Sequence, residues 1–178
     1  NARSPLEGYD PGSFHCELLG RDKQPSRQVA RLWHALETSD LVSLRQRAGE
    51  AERELFKLGI TFTVYSEKDA IDRILPFDVI PRIVTASDWA RIEAGVIQRV
   101  KALNLFLHDV YHERRILKDG IVPEQLVLTN ANYRAEMIGL DLPCGTYIHV
   151  NGTDIVRDGA GEFRVLEDNG RSPSGVSY

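Results

Sequence analysis

The chain has only two cysteines and one methionine in 178 residues, and no stretch of it stays apolar for the length a bilayer requires. Cys16 and Cys144 lie far apart, so neither a thiolate metal knuckle nor a disulfide framework follows from their spacing. Both are expected as free, buried thiols in a reducing cytoplasm. Basic clusters interleaved with aromatics are missing as well. The 22 Lys and Arg are outnumbered by 26 Asp and Glu, and the formal net charge of -4 argues against a nucleic-acid surface. There is no internal repeat, no low-complexity tract and no visible signal peptide. With no membrane and no nucleic acid as expected partner, what is left is a domain 42% hydrophobic and 27% charged, with enough material to bury a core.

Residues 1–24 hold Pro5, Gly8, Pro11, Gly12 and Gly20 with few periodic apolar positions, so they read as an irregular arm. From Ser26, Val29, Leu32, Trp33 and Leu36 recur at helical spacing. A second amphipathic helix runs from about Asp40 to Leu58 and is closed by Gly59, and the two suggest a helical hairpin. Ile60 to Tyr65 alternates as a strand, and Ile74 to Ile83, with two prolines, reads as interrupted extended chain. The longest element starts at a Ser87 cap and carries Trp89, Ile92, Val96, Val100, Leu103, Leu107 and Val110 at gaps of three and four. It is expected to pack a core and to end near Gly120. Pro123 opens a short helix through Leu128, and Tyr133 to Ile138 suits one further turn.

The densest chemistry lies between Gly152 and Gly175. Tyr147 to Arg157 and Glu162 to Asn169 are rich in β-branched and aromatic residues and are joined by Asp158-Gly159-Ala160-Gly161, the pattern of a β-hairpin. With Arg157 set opposite Glu162, Asp154 falls opposite Val165 and Glu167 becomes its diagonal neighbour on one face. Asn169 shares that face and Asp168 points the other way. Two carboxylates and an amide oxygen then converge, the hard-oxygen set that Mg²⁺ takes alongside phosphates. The plain alternative is an exposed hairpin whose acids face water. The following Gly170-Arg171-Ser172-Pro173-Ser174-Gly175 offers a guanidinium, hydroxyls and permissive turns suited to anionic oxygens, or else an ordinary surface loop.

Three other constellations are visible. His108 and His112, one helical turn apart, would clasp a transition metal only with a third ligand from another element; without the Glu of a zincin helix, a structural role or a place in a substrate cleft is favoured. Asp78 and Arg82 flank Pro81 and would either grip a carboxylate substrate or pair locally. Cys144, between Pro143 and Gly145, has no partner histidine placed by sequence, so a packing thiol is favoured over a nucleophile.

Several runs together carry a family resemblance: Gly59-Ile-Thr-Phe-Thr-Val-Tyr65, Pro76-Phe-Asp-Val-Ile-Pro-Arg82, Leu103-Asn-Leu-Phe-Leu-His-Asp-Val-Tyr-His112, Ile116-Leu-Lys-Asp-Gly120, Val165-Leu-Glu-Asp-Asn169 and Arg171-Ser-Pro-Ser-Gly-Val-Ser-Tyr178. From about Leu55 to Tyr178 the chain resembles the circularly permuted ATP-grasp family related to glutathionylspermidine synthase. The resemblance implies an ATP-dependent carboxylate-amine ligase, in which ATP phosphorylates a carboxylate and an amine displaces phosphate to leave an amide. It implies ATP and Mg as cofactors, Asp154, Glu167 and Asn169 as metal ligands, Arg171 as a catalytic cation, and Ser172, Ser174 and Gly175 as phosphate or cofactor contacts. Arg82 remains a substrate candidate, the substrates being small peptides, amino acids or amines.

There are departures from the family pattern. Gly152 stands where the related synthase has an arginine two residues before the first metal Asp, so a catalytic cation is expected from elsewhere. The permuted fold places its adenine pocket and phosphate-binding lysine after the metal strands, beyond Tyr178. The chain therefore reads as the N-terminal, metal-binding portion of a larger enzyme, truncated at its C-terminus, with an Asn1-Ala2 start like a tag scar. These 178 residues alone are expected neither to bind ATP tightly nor to turn over. The expected fold is α/β, or α+β if helices segregate: a mixed sheet packed by the long helix across residues 25–178, with a helical hairpin on the N-terminal side. Surface left by truncation would favour a homodimer. A competing reading is a degenerate family member that binds a peptide or partner without catalysis.

Overall fold

The computed structural model describes residues 4–19, 24–65 and 70–173, and the chain divides into two compact units, Asn1–Thr85 and Ala86–Tyr178. Residues 4–19 form successive turns, and a single antiparallel bridge joins Leu19 to Pro25. Helix α1 (Ala30–Glu37) follows, with Leu36 buried on it and Val29 buried just ahead of it, two turns apart on one face. Helix α2 (Leu41–Lys57) starts at Asp40, whose Oδ1 accepts from Val42 N at 2.9 Å and Ser43 N at 3.0 Å. It stops where the sequence says it should. Gly59 takes φ 77, its N–H reaching Phe56 O and that of Ile60 reaching Leu55 O, the two bonds of a Schellman cap.

Strands β1 (Thr61–Tyr65) and β2 (Ala70–Ile74) pair antiparallel, with Thr61 opposite Ile74, and α2 lies against β2. β2 was not expected, because Asp72 and Arg73 put a charge on each alternating set of Ala-Ile-Asp-Arg-Ile and break the apolar pattern despite two isoleucines.

The second unit is organised on α3 (Ala86–Tyr111). The helix begins at Ala86, so Ser87 lies inside its first turn rather than capping it. It also ends some nine residues before the expected Gly120. The break is built by Asp109: its main-chain oxygen takes the N–H of Arg114 at 2.7 Å, and its carboxylate takes those of Arg115 at 3.0 Å and Ile116 at 2.9 Å. Arg114 turns left-handed at φ 57, and the chain restarts as α4 (Arg115–Lys118). One acidic residue thus ends one helix and caps the next. A short α5 (Glu124–Leu128) follows Pro123, and single 3₁₀ turns occupy Ala135–Met137 and Pro143–Gly145.

Val110, Tyr111 and Leu117 are the buried side chains among the described residues of this unit. Tyr111 stacks on Tyr133 at 5.3 Å and on Tyr147 at 6.0 Å, drawing the long connection onto the end of α3. Trp89, expected in the core, is instead 59% exposed.

Strands β3 (Gly152–Arg157) and β4 (Phe163–Asn169) form the second hairpin. Among the described residues each sheet has two antiparallel strands and no mixed sheet forms, so the architecture is helices with small antiparallel hairpins. No helix among the described residues is long and apolar enough to cross a membrane.

Candidate functional site

The β3–β4 register corrects the sequence expectation. Arg157 faces Phe163 rather than Glu162, Ile155 faces Val165, and a bulge then lets Asp154 face Glu167 directly, with Gly152 opposite Asn169. The bulge is what rescues the acidic face. On β4 Leu166 and Glu167 are both exposed in succession, so the strand changes phase and Glu167 lands with Asp154 instead of behind it. Asp154, Glu167 and Asn169 are all exposed, while Thr153, Ile155, Phe163, Val165 and Asp168 alternate to the partly buried face.

The turn is set by Asp158. Its Oδ1 accepts from Ala160 N at 3.0 Å and Glu162 N at 2.9 Å, and its Oδ2 takes Arg164 Nε at 2.9 Å. These donors, Glu162 N–H first, hold its carboxyl below the usual carboxylate range. Gly161 at φ 84 completes the turn.

Three ion pairs fasten the hairpin to α3. Arg157 meets Asp88 at 3.2 Å and lies 4.6 Å over the Phe163 ring, Arg91 pairs with Glu162, and Arg99 Nε reaches Asp168 at 3.0 Å. Asp168 also accepts from Thr153 Oγ1 at 3.0 Å and Asn151 Nδ2 at 3.3 Å. The Arg99 hydrogen bond is the main cause of its lowered pKa. This clamp escaped the sequence reading, although Asp88, Ile92 and Arg99 repeat along one helix stripe where a purely apolar seam was expected.

On the exposed face no arginine or lysine among the described residues pairs with Asp154 or Glu167, Arg164 being taken by Asp158. Asp154 makes no hydrogen bond or ion pair among the described residues, and Glu167 accepts only from Asn169 Nδ2 at 3.1 Å. Two carboxylates directly opposite each other on a hairpin are destabilising by themselves. Among the described residues no three His, Cys, Asp or Glu side chains cluster for a metal ion. A cation here would rest on the two carboxylates, the Asn169 amide oxygen and oxygens brought by a substrate. That donor set is of the kind Mg²⁺ uses.

The following loop folds back onto this face. A methyl group built on Gly152 would lie 2.7 Å from Pro173 Cβ and 3.7 Å from Asn169 Cβ. Pro173 therefore occupies the space that an arginine at position 152 would need. Arg171 is exposed and donates to Asn132 Oδ1 at 3.2 Å, and Ser172 is exposed beside it. Ser174 and Gly175 lie outside the described residues.

Arg82 and Asp78 do not pair with each other. Asp78 accepts from Ile80 N at 2.9 Å, and the largely exposed Arg82 meets Glu17 at 3.0 Å. Both line a cavity of about 320 Å³ with Tyr9, His15 and Cys16. The Tyr9 hydroxyl donates to Cys16 Sγ at 3.2 Å, which with burial pushes its pKa up to about 12. The arm thus reaches Arg82 through Glu17, a contact at long sequence separation that no local pattern announces.

His108 and His112 stack at 4.0 Å. Nδ1–H of His112 donates to His108 O at 2.9 Å, and its Nε2 lies 3.5 Å from Asp141 Oδ1, a structural arrangement. The thiols differ from expectation: Cys16 is half-buried and Cys144 exposed. The left-handed backbone of Cys144, φ 58, turns the chain at the surface there.

The site is thus a bulged antiparallel hairpin whose exposed face carries Asp154, Glu167 and Asn169 and whose other face is braced by a long helix. The family of proteins described as a circularly permuted ATP-grasp matches residues 81–178, more than half of the chain, and the chain belongs to that family. An uncharacterized protein of Synechocystis sp. is 46% identical over 173 residues, covering 97% of this chain and 36% of its own length. An uncharacterized protein of Mycobacterium tuberculosis is 43% identical over 147 residues, 83% of this chain and 26% of its own. A Frankia alni protein provisionally named glutamate–cysteine ligase 2-3 is 41% identical over 175 residues, 97% of this chain and 20% of its own. The chain thus spans about a third or less of the curated relatives it matches.

Proposed function

We propose that the complete protein is an ATP-dependent carboxylate-amine ligase and that this chain supplies the cation-binding half of its site. The single observation behind the reading is the pair Asp154 and Glu167, set opposite each other by a bulge and without an arginine or lysine partner among the described residues, on a hairpin whose other acids, Asp158, Glu162 and Asp168, each hold an arginine. Asp154, Glu167 and the Asn169 amide oxygen would hold Mg²⁺. Bound there, the ion would neutralise phosphate oxygens during transfer. Pro173 packs against Gly152, and the neighbouring Arg171 and Ser172 supply a guanidinium and a hydroxyl of the kind that suits anionic oxygens. The Arg99–Asp168 pair fixes the hairpin from behind, so the acids are positioned before any ligand arrives.

The chemistry balances simply. A carboxylate oxygen takes the terminal phosphoryl group of ATP, releasing ADP; an amine then attacks the acyl carbon, releasing phosphate and a proton. Amide formation also agrees with the provisional ligase name of the Frankia relative. Arg82, in its cavity with Glu17, is the candidate for gripping the carboxylate substrate. The test is acceptor-dependent ADP formation by the complete protein, screened with small peptides, amino acids and amines. Glu167→Ala should lower it at least about a hundredfold; wild-type rates in that variant would remove the basis of the proposal.

A further inference from the structure

Lys101, Asn104, Leu105 and His108 occupy successive turns of α3, and the chain around Cys144 and Thr146 returns against them to form an open cleft of about 550 Å³. That is room for a small organic molecule. The walls are fixed before anything binds. Asn104 Nδ2 donates to Val100 O at 2.9 Å, and its Oδ1 accepts from Tyr147 N at 2.7 Å and Ile148 N at 3.1 Å, which ties the returning chain to the helix. The His108 ring is held by stacking on His112 and by edge contact with Tyr147 at 6.3 Å.

Three exposed side chains at this cleft are left unpaired. The Lys101 ammonium, the His108 ring nitrogens and the Cys144 thiol make no hydrogen bond or ion pair among the described residues, and no acidic side chain lines the cleft. The backbone N–H groups of Gly145 and Thr146 are already bonded, to Leu142 O at 2.9 Å and Pro143 O at 3.3 Å. No amide nest is left there for a phosphate, and no arginine fork is present. One full positive charge beside apolar Val100 and Leu105 matches a singly charged acid with an apolar body.

We propose that this cleft binds a small organic carboxylate, with Lys101 as its counter-charge and Leu105 against its apolar part. The residues are separate from the hairpin acids, so the proposal holds or fails independently of the ligase reading. The test is an NMR titration of the ¹⁵N-labelled chain with 4-phenylbutyrate, the neutral 4-phenylbutyramide and inorganic phosphate. Saturable shifts at Lys101, Leu105 and Thr146 are expected with the carboxylate, about fivefold weaker binding with the amide, and no saturation with phosphate. Lys101 is exposed and carries no structural contact, so Lys101→Met should leave the remaining spectrum intact while weakening the carboxylate about fivefold. Equal affinity for acid and amide, binding unchanged in Lys101→Met, a preference for phosphate, or no saturable shift with any probe would each overturn it.

Discussion

Removing the Asp168 carboxylate tests whether the hairpin is braced as described. Its side chain is 11% exposed and accepts from Arg99, Thr153 and Asn151, whereas the Arg99 side chain is 45% exposed. A hydrogen bond to a charged group contributes about 1.5–3 kcal/mol when shielded. Solvent around Arg99 reduces its share, and the 3.3 Å bond from Asn151 adds little. Asp168→Ala should therefore cost about 2 kcal/mol, roughly 10 °C in Tm for a unit of this size. Arg99→Met should cost less, because it leaves Thr153 and Asn151 bonded to the acid. In the double variant the losses should fall short of their sum, the signature of a direct pair. Urea unfolding followed by circular dichroism reads all three. Losses that simply add, or an Asp168→Ala variant as stable as wild type, would refute the brace.

Asp168, Asp109 and Asp158 all have carboxyl pKa values below the ordinary 3.8, held down first by Arg99, by Ile116 N–H and by Glu162 N–H respectively. Lowered folded values stabilise the fold above the unfolded pKa, so stability should stay level at higher pH and fall as pH drops below 3.8, less steeply in Asp168→Asn; an acid limb unchanged in that variant would contradict the assignment. Asp109→Ala should cost about 1 kcal/mol by uncapping α4, measured by thermal unfolding. Gly152→Ala should cost about 1–3 kcal/mol through its clash with Pro173, and Pro173→Gly added to it should recover most of the loss in denaturant titrations.

Local signals were legible in the sequence. The Asp40 start and Gly59 stop of α2, the strand before Tyr65 and the Asp158–Gly161 turn are written in residues that act within a few positions of themselves. The acidic face was legible as a set but not in its pairing, because a bulge shifts register without leaving a mark in the alternation until Leu166 is seen exposed. The premature end of α3 was hidden by continuing apolar periodicity through Leu117 and is decided by Asp109 competing for backbone donors. Arg82 meeting Glu17, and Arg99 meeting Asp168, join residues 65 and 69 positions apart, beyond any local reading.

We propose the exposed face of the β3–β4 hairpin as a divalent-cation site. Mn²⁺ titration of the ¹⁵N-labelled chain reads it most directly, because paramagnetic broadening reports even weak occupancy. Broadening centred on the amides of Asp154, Glu167 and Asn169, reversed by excess Mg²⁺ and abolished in Glu167→Gln, is the predicted result. Broadening spread evenly over surface acids, or left in place in that variant, would contradict it.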